Sequence, residues 1–207
     1  MTLVLYAVIP AEVTQPDDLG VLRRPHVAVV HREEPAPAAA APEAVLAFGQ
    51  TIERIAERGP ALPIRFGTTV SGLDELHRIA EEHEGSWATR LLVVAGHCEL
   101  IVHVRVHGGA ERATHRGLRG REYLRRRAMA THARSAAHDG IREVLGARLR
   151  EHRVLGIGDV DRLAALVPSA AADEVRADLE RWAAETPDIE LSVTGPWPAF
   201  SFCEEPA

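Results

Sequence analysis

Residues Thr2 to Ile9 are apolar at both alternating sets of positions, Leu3, Leu5, Ala7 and Ile9 on one side and Val4, Tyr6 and Val8 on the other. Two apolar faces predict a strand covered on both sides, central in a sheet. A polar stretch with Pro16, Asp17, Asp18 and Gly20 leads to a β-rich run from His26 to His31, and Glu33 to Pro42, rich in Pro and Ala, reads as a linker. After Pro42 the period changes: Val45, Phe48, Ile52 and Ile55 recur at helical steps, and Gly59-Pro60 ends the helix they predict. Leu62 to Val70 reads as a short extended segment. Ser71 and Asp74 then open a helix that buries Leu73, Leu76, Ile79 and Ala80, with Asp standing where a capping box usually has Glu or Gln. A further helical stretch around Trp87, Leu91 and Leu92 stops at Gly96.

From His97 to His107 the alternation is clean. Cys98, Leu100, Val102, Val104 and Val106 fall on one face and His97, Glu99, His103, Arg105 and His107 on the other, which predicts a strand with one face buried and one solvated. A long helix follows from about Gly120 to Glu151, with Leu124, Met129, Ala133, Ile141, Val144, Leu145 and Leu149 inward. Gly140 weakens its middle by about 1 kcal/mol relative to alanine. Arg153 to Ile157 and Arg162 to Val167 read as a hairpin around Gly158-Asp159. Pro168-Ser169 introduces a helix with Val175, Leu179 and Trp182 inward, and a strand runs from Ile189 to Val193.

This order, β-α-β-β-α-β from His97 onward, predicts a modified ferredoxin-like split βαβ unit. The fold class is α+β in two domains: residues 1–95 a mixed α+β domain, and residues 96–207 the ferredoxin-like one. In such a sheet the first and last strands are neighbours, so Cys98 and Cys203 are expected close together as free thiols.

At 207 residues, 46% of them hydrophobic, the chain is long enough to fill a substantial core. No run reaches the roughly 18 apolar residues of a membrane span and no charged leader opens the chain, so a cytoplasmic protein without membrane attachment is expected. All 24 basic residues are arginine, which excludes Schiff-base lysine chemistry and a phosphate loop with its lysine. The net charge of −6 argues against nucleic acid as a general partner.

The candidate chemistry thins out on inspection. His97 and His107 would lie about 33 Å apart along an extended strand, too far to share an ion. His132 and His138 are not at the four-residue step of a helical zinc pair. There is no G-x-S-x-G elbow, Cys98 points inward where a thiolate is disfavoured, and Gly108-Gly109 lacks the later glycine of a nucleotide loop. No catalytic residue, cofactor or metal site is predicted.

Interaction residues stand out more. Arg112, Arg116, Arg119, Arg121, Arg125, Arg126 and Arg127 cluster at the entry to the long helix, where positive charge opposes the helix dipole. A partner surface and a solvated face paired with Glu111 and Glu122 both account for it. Arg65 sits among apolar neighbours and reads as a half-buried internal clamp, for instance to Glu99, or as a docking residue. Aromatic residues are only 4% of the chain, yet Trp197, Phe200 and Phe202 crowd into Gly195-Pro196-Trp197-Pro198-Ala199-Phe200-Ser201-Phe202. The residue between two prolines is held extended, which makes this segment the last strand, and its aromatics are expected to pack within or between domains.

Three segments taken together, LPIRFGTT at 62–69, GREYLRRR at 120–127 and GPWPAFSF at 195–202, resemble the gas vesicle protein F and L (GvpF/GvpL) family. The likeness runs over nearly the whole chain and departs from the family pattern at Ala199 and Phe200. The resemblance implies a non-enzymatic accessory protein of gas vesicle assembly that binds the major shell protein and other accessory proteins, in the cytoplasm and at the vesicle. It also implies the two-domain α+β fold. Candidate residues for protein or domain interfaces are then Arg65, Phe66, Arg121, Tyr123, Arg125, Trp197 and Phe200. The competing reading is a small-molecule-sensing regulatory module, since ferredoxin-like folds also bind ligands at sheet and domain interfaces.

Overall fold

A computed structural model of the protein describes residues 2–16, 18–35, 41–106, 120–155 and 161–203, with the helical backbone alone at 120–127, 129 and 130. The described residues form β1 (Thr2–Pro10), β2 (Gly20–Arg23), β3 (Val27–Glu34), α1 (Pro42–Ala56), β4 (Leu62–Pro63), β5 (Thr69–Val70), α2 (Leu73–Val94) and β6 (His97–Val106). They continue with α3 (Gly120–Leu145), β7 (Glu151–Val154), β8 (Asp161–Pro168), α4 (Ala172–Glu185) and β9 (Ile189–Trp197), and short 3-10 turns lie at Gly146–Arg148, Ser169–Ala171 and Phe200–Phe202. The architecture is mixed α+β with two antiparallel sheets. Two compact units result, 1–98 together with 197–207, and 99–196. Trp197 to Cys203 thus group with the first unit, whereas the sequence reading began the second domain at residue 96 and ran it to residue 207.

In the first unit the sheet order is β2-β3-β1-β4, with β5 also pairing with β1. The two apolar faces of β1 explain its place: every residue from Leu3 to Ile9 is buried. Its register against β3 slips between Leu5, opposite His31, and Ala7, opposite Val30, so Tyr6 forms a bulge. One face of the sheet packs on α1 through Val4, Tyr6, Ile9, Phe48, Ile52 and Ile55. Each fully buried aliphatic there contributes about 1.5–3 kcal/mol. The rings of Tyr6 and Phe48 stack at 4.8 Å, and Phe66 meets Phe48 edge-on at 5.3 Å. Val45 is exposed, so the inner stripe of α1 begins one turn later than its periodicity suggests.

The two helical stretches expected between Ser71 and Gly96 form one helix, α2. Its start is closed by Glu75, not Asp74: the Ser71 backbone N–H and hydroxyl both donate to Glu75 Oε2, each at 2.7 Å. These bonds hold the Glu75 carboxyl below the usual carboxylate range. Leu76, Ala80, Trp87, Leu91 and Val94 face inward, while Leu73, expected inside, is exposed, as is Leu92. Gly96, with a φ of 73°, turns the chain into β6.

In the second unit the order is β7-β8-β6-β9, with β8 buried at all but its second and last residues. Among the described side chains, Ala137, Ile141 and Leu145 are the buried positions of α3, and Ala172, Val175 and Leu179 those of α4. Leu124, Met129, the basic cluster from Arg112 to Arg127, Gly108-Gly109 and Gly158-Asp159 lie outside the residues or side chains described. The polar face of β6 holds where it is described, with one exception. His103 is half-buried and Arg105 is exposed and donates to Glu190 of β9 at 2.8 Å, but Glu99 is only 2% exposed. Glu99 therefore belongs to the interior, not to the solvated face the alternation predicts. Neither cysteine is in a disulfide, and Cys98 is buried and Cys203 half-buried.

Candidate interaction surface

The first unit brings two of the three distinctive segments together. In LPIRFGTT, Leu62, Pro63 and Ile64 are buried because they pair along β1, with the Ile64 N–H donating to the Tyr6 carbonyl at 2.8 Å. The chain then leaves the sheet in a turn, closed by Thr68 N–H to the Arg65 carbonyl at 3.1 Å and eased by Gly67 at a φ of 84°. It rejoins β1 where Leu5 N–H donates to the Thr68 carbonyl at 3.1 Å. The turn lifts Arg65 outward. Arg65 is exposed, not half-buried as its apolar neighbours suggest. Phe66, half-buried against Phe48, closes the edge of the core.

The closing segment docks on the same unit. Gly195-Pro196 is a cis peptide, and the Gly195 carbonyl accepts from Arg176 Nη2 at 2.6 Å within the second unit. Beyond Trp197 the chain tightens: Phe200 N–H donates to the Pro198 carbonyl at 2.7 Å, and the Ala199 carbonyl accepts from Phe202 N–H and Cys203 Sγ, each at 3.1 Å. This 3-10 turn lies against β4. Phe202 is wholly buried and Ala199 nearly so, and Arg90 of α2 donates through Nε to the Phe202 carbonyl while its guanidinium stands 6.0 Å from the Phe202 ring centre. A charge-assisted bond and a ring contact from one side chain fix the turn at two points.

Anchoring Phe202 leaves its neighbours outside. Trp197 is 40% and Phe200 43% exposed, against the expectation that the aromatics of this segment pack internally. Phe202 meets that expectation in full. The alternation of large side chains in a tight turn sends one ring inward and the next outward, a distinction composition does not carry. Arg90 was not among the residues singled out from the sequence. Its signal lay in the helix period, since it sits between Trp87, Leu91 and Val94 on the inner side of α2. Arg121, Tyr123 and Arg125 lie in the first turns of α3, with only their helical backbone described.

A second feature of the first unit is a charge node. Asp18 accepts from Arg32 of β3 and from Arg54 of α1, each at 2.9 Å, and the Arg54 bond leads in holding its carboxyl below the usual range. Arg32 also lies 5.6 Å from the Tyr6 ring centre. Burial pushes the Tyr6 hydroxyl above its ordinary value, opposed by that nearby guanidinium. Among the described residues no group of three or more His, Cys, Asp or Glu is placed to hold a metal ion, and no helix is long and apolar enough to cross a membrane.

Residues 3–204 match the family model for the gas vesicle synthesis protein GvpL/GvpF. The fold is similar to the crystal structure of gas vesicle protein GvpF from Microcystis aeruginosa, with a TM-score of 0.75 at 14% identity, covering 98% of this chain and 99% of that one. It is likewise similar to the crystal structure of gas vesicle protein GvpF from Anabaena sp. PCC7120, with a TM-score of 0.77 at 15% identity, covering 98% and 96%. No curated protein sequence matches the chain.

Proposed function

We propose a role in vesicle assembly from one premise: the chain belongs to the gas vesicle synthesis protein GvpL/GvpF family, whose model spans residues 3–204. The protein acts in the cytoplasm as a non-enzymatic accessory factor. It binds the major shell protein, together with other accessory proteins, while a vesicle is nucleated or grows. The observation that carries this reading is the extent of the family match, which takes in both compact units and all three distinctive segments.

Trp197 and Phe200 are the residues we assign to contact the shell protein. Exposed aromatic side chains on a rigid support bind apolar surfaces at low entropic cost, and the burial of Phe202 under Arg90 supplies the support. Arg65, exposed in the same unit, fits the rim of such a contact, and Phe66 backs the turn that carries it. The entry to α3, with Arg121, Tyr123 and Arg125, is assigned to other accessory proteins on its sequence. We also read the second unit as a modified ferredoxin-like domain. Its element order β-α-β-β-α-β, combined with the sheet order β7-β8-β6-β9, supports that reading.

Co-expression of the tagged chain with the shell subunit, followed by affinity capture, tests the function. Shell subunit retained at stoichiometric yield is the expected result. A shell subunit left in the flow-through, together with normal vesicles in a host whose copy of this gene is deleted, overturns it.

A further inference from the structure

We propose that His31 is an acid-sensitive pin for the edge strand β2: a proton taken up there loosens the β2–β3 ladder and frees the segment that carries Asp18. The strand is four residues long and pairs with β3 at one edge of its sheet. Gly20, its first residue, stands opposite His31, and the imidazole lies over the Gly20 α-carbon. A Cβ at position 20 would come within 2.8 Å of Nδ1 and 2.9 Å of Nε2, so the ring fills the space a side chain would need. Covering an edge glycine with a cross-strand ring is a recognised way to secure such a strand.

The cover suits a neutral ring only. Nδ1 is buried with no hydrogen-bond partner, so an imidazolium proton there would meet no acceptor. The surrounding charges offer little relief. Glu33, on the same strand, favours the charged ring, but burial outweighs it and holds His31 below its ordinary value. On β1 the residue opposite His31 is Leu5. On β2, Arg23 sends its guanidinium to the carbonyls of Ala11 and Val13. Helix α2 packs on β2 and β3, and its half-buried titratable groups are engaged elsewhere: Glu75 with Ser71, His83 stacked on Trp87, Glu84 with Arg24 and the His26 N–H, and Arg90 with Phe202. Arg32 and Asp18 pair with each other, Arg32 reaching toward Tyr6.

The sign follows from where the proton binds more readily. As pH falls through the ordinary imidazole value of about 6.5, the opened strand is protonated before the closed one, so opening is favoured. The effect grows until the closed form is protonated too. Asp18 lies two residues before Gly20, so an opened β2 withdraws it from Arg32 and Arg54.

Native-state hydrogen exchange of the whole chain, corrected for the intrinsic pH dependence, reads this directly. Between about pH 7.5 and about pH 5, protection of the amides in residues 20–23 is expected to fall roughly tenfold for each unit by which His31 is held down, while β1 amides keep theirs. His31→Gln removes the pH dependence. Equal protection at both pH values, or a His31→Gln chain that keeps the dependence, overturns the proposal. An NMR titration of the His31 ring in the unaltered chain decides the matter if that variant does not fold: a midpoint at or above the ordinary imidazole value also overturns it.

Discussion

Gly140 in α3 lies directly beneath Trp182 of α4, so close that a Cβ at position 140 would fall 3.1 Å from Trp182 Cε2 and nearer still to Cζ2. Glycine inside a helix is unfavourable by about 1 kcal/mol relative to alanine, so propensity alone recommends alanine there. The indole reverses that sign. It occupies the space that the missing side chain leaves, and it brings the two helices into contact.

Gly140→Ala is therefore expected to destabilise the protein, by roughly 1–3 kcal/mol as overpacking does, despite the better helix former. Urea unfolding measures it. In a Trp182→Leu background the same substitution should become neutral or stabilising, because the obstructing ring is gone. Additive effects of the two changes would show that Gly140 is not there for Trp182.

Phe202 and Phe200 are two residues apart and should behave oppositely. Phe202→Ala empties a wholly enclosed site and is expected to cost about 3–5 kcal/mol. Phe200→Ala removes an exposed ring and should change stability by less than about 1 kcal/mol. Arg90→Met, which keeps the aliphatic stem but loses the donor to the Phe202 carbonyl, should raise proteolytic cleavage around residues 198–203. Thermal unfolding and limited proteolysis read the three together. An unchanged cleavage pattern in Arg90→Met would show that the ring alone holds the turn.

The Asp18 node gives a pH signature. Its carboxyl is held below the ordinary value chiefly by the Arg54 bond, so its contribution is fully present above about pH 4 and is lost as pH falls through the depressed value. Asp18→Asn should lower the urea midpoint at neutral pH and converge with the unaltered chain in acid. Asp178, held low by Arg148 and then by Arg181, should give the same pattern in Asp178→Asn. A gap between variant and parent that stays constant down to about pH 2 would show that charge is not what these residues contribute.

What the sequence made legible was local. The double apolar run of β1, the alternation of Leu100 to Arg105 and the inward stripe of Val175 and Leu179 each follow from a period set within one element. The misreadings share a different cause. Glu99 obeys the polar phase of its strand yet is buried, because burial depends on what lies over the strand and not on the strand's own period. Leu73, expected inside, opens α2, where a helix can outrun the surface it packs on. The candidate interaction surface was harder still, since the Arg90–Phe202 contact joins residues 112 positions apart. A contact of that span leaves no periodic trace. The aromatic cluster announced that the tail mattered, but not which ring is the anchor and which are displayed.

That division of labour is the basis of the last prediction. If Trp197 and Phe200 are what the shell protein touches, Trp197→Ala with Phe200→Ala should leave the unfolding transition nearly unchanged and remove most of the captured shell subunit. Truncating central aromatics in an interface typically costs about 2 kcal/mol or more each, so the pair together weakens binding by well over tenfold. Phe202→Ala should also lose binding, but with a matching loss of stability, because it removes the support and not the contact. Arg65→Ala, at the rim, should mainly weaken capture at low salt and so reduce its salt sensitivity. Full retention of the shell subunit by a stable Trp197→Ala, Phe200→Ala chain would move the contact off this surface. Testing Arg121→Ala with Arg125→Ala in the same assay would then decide whether the entry to α3 carries it.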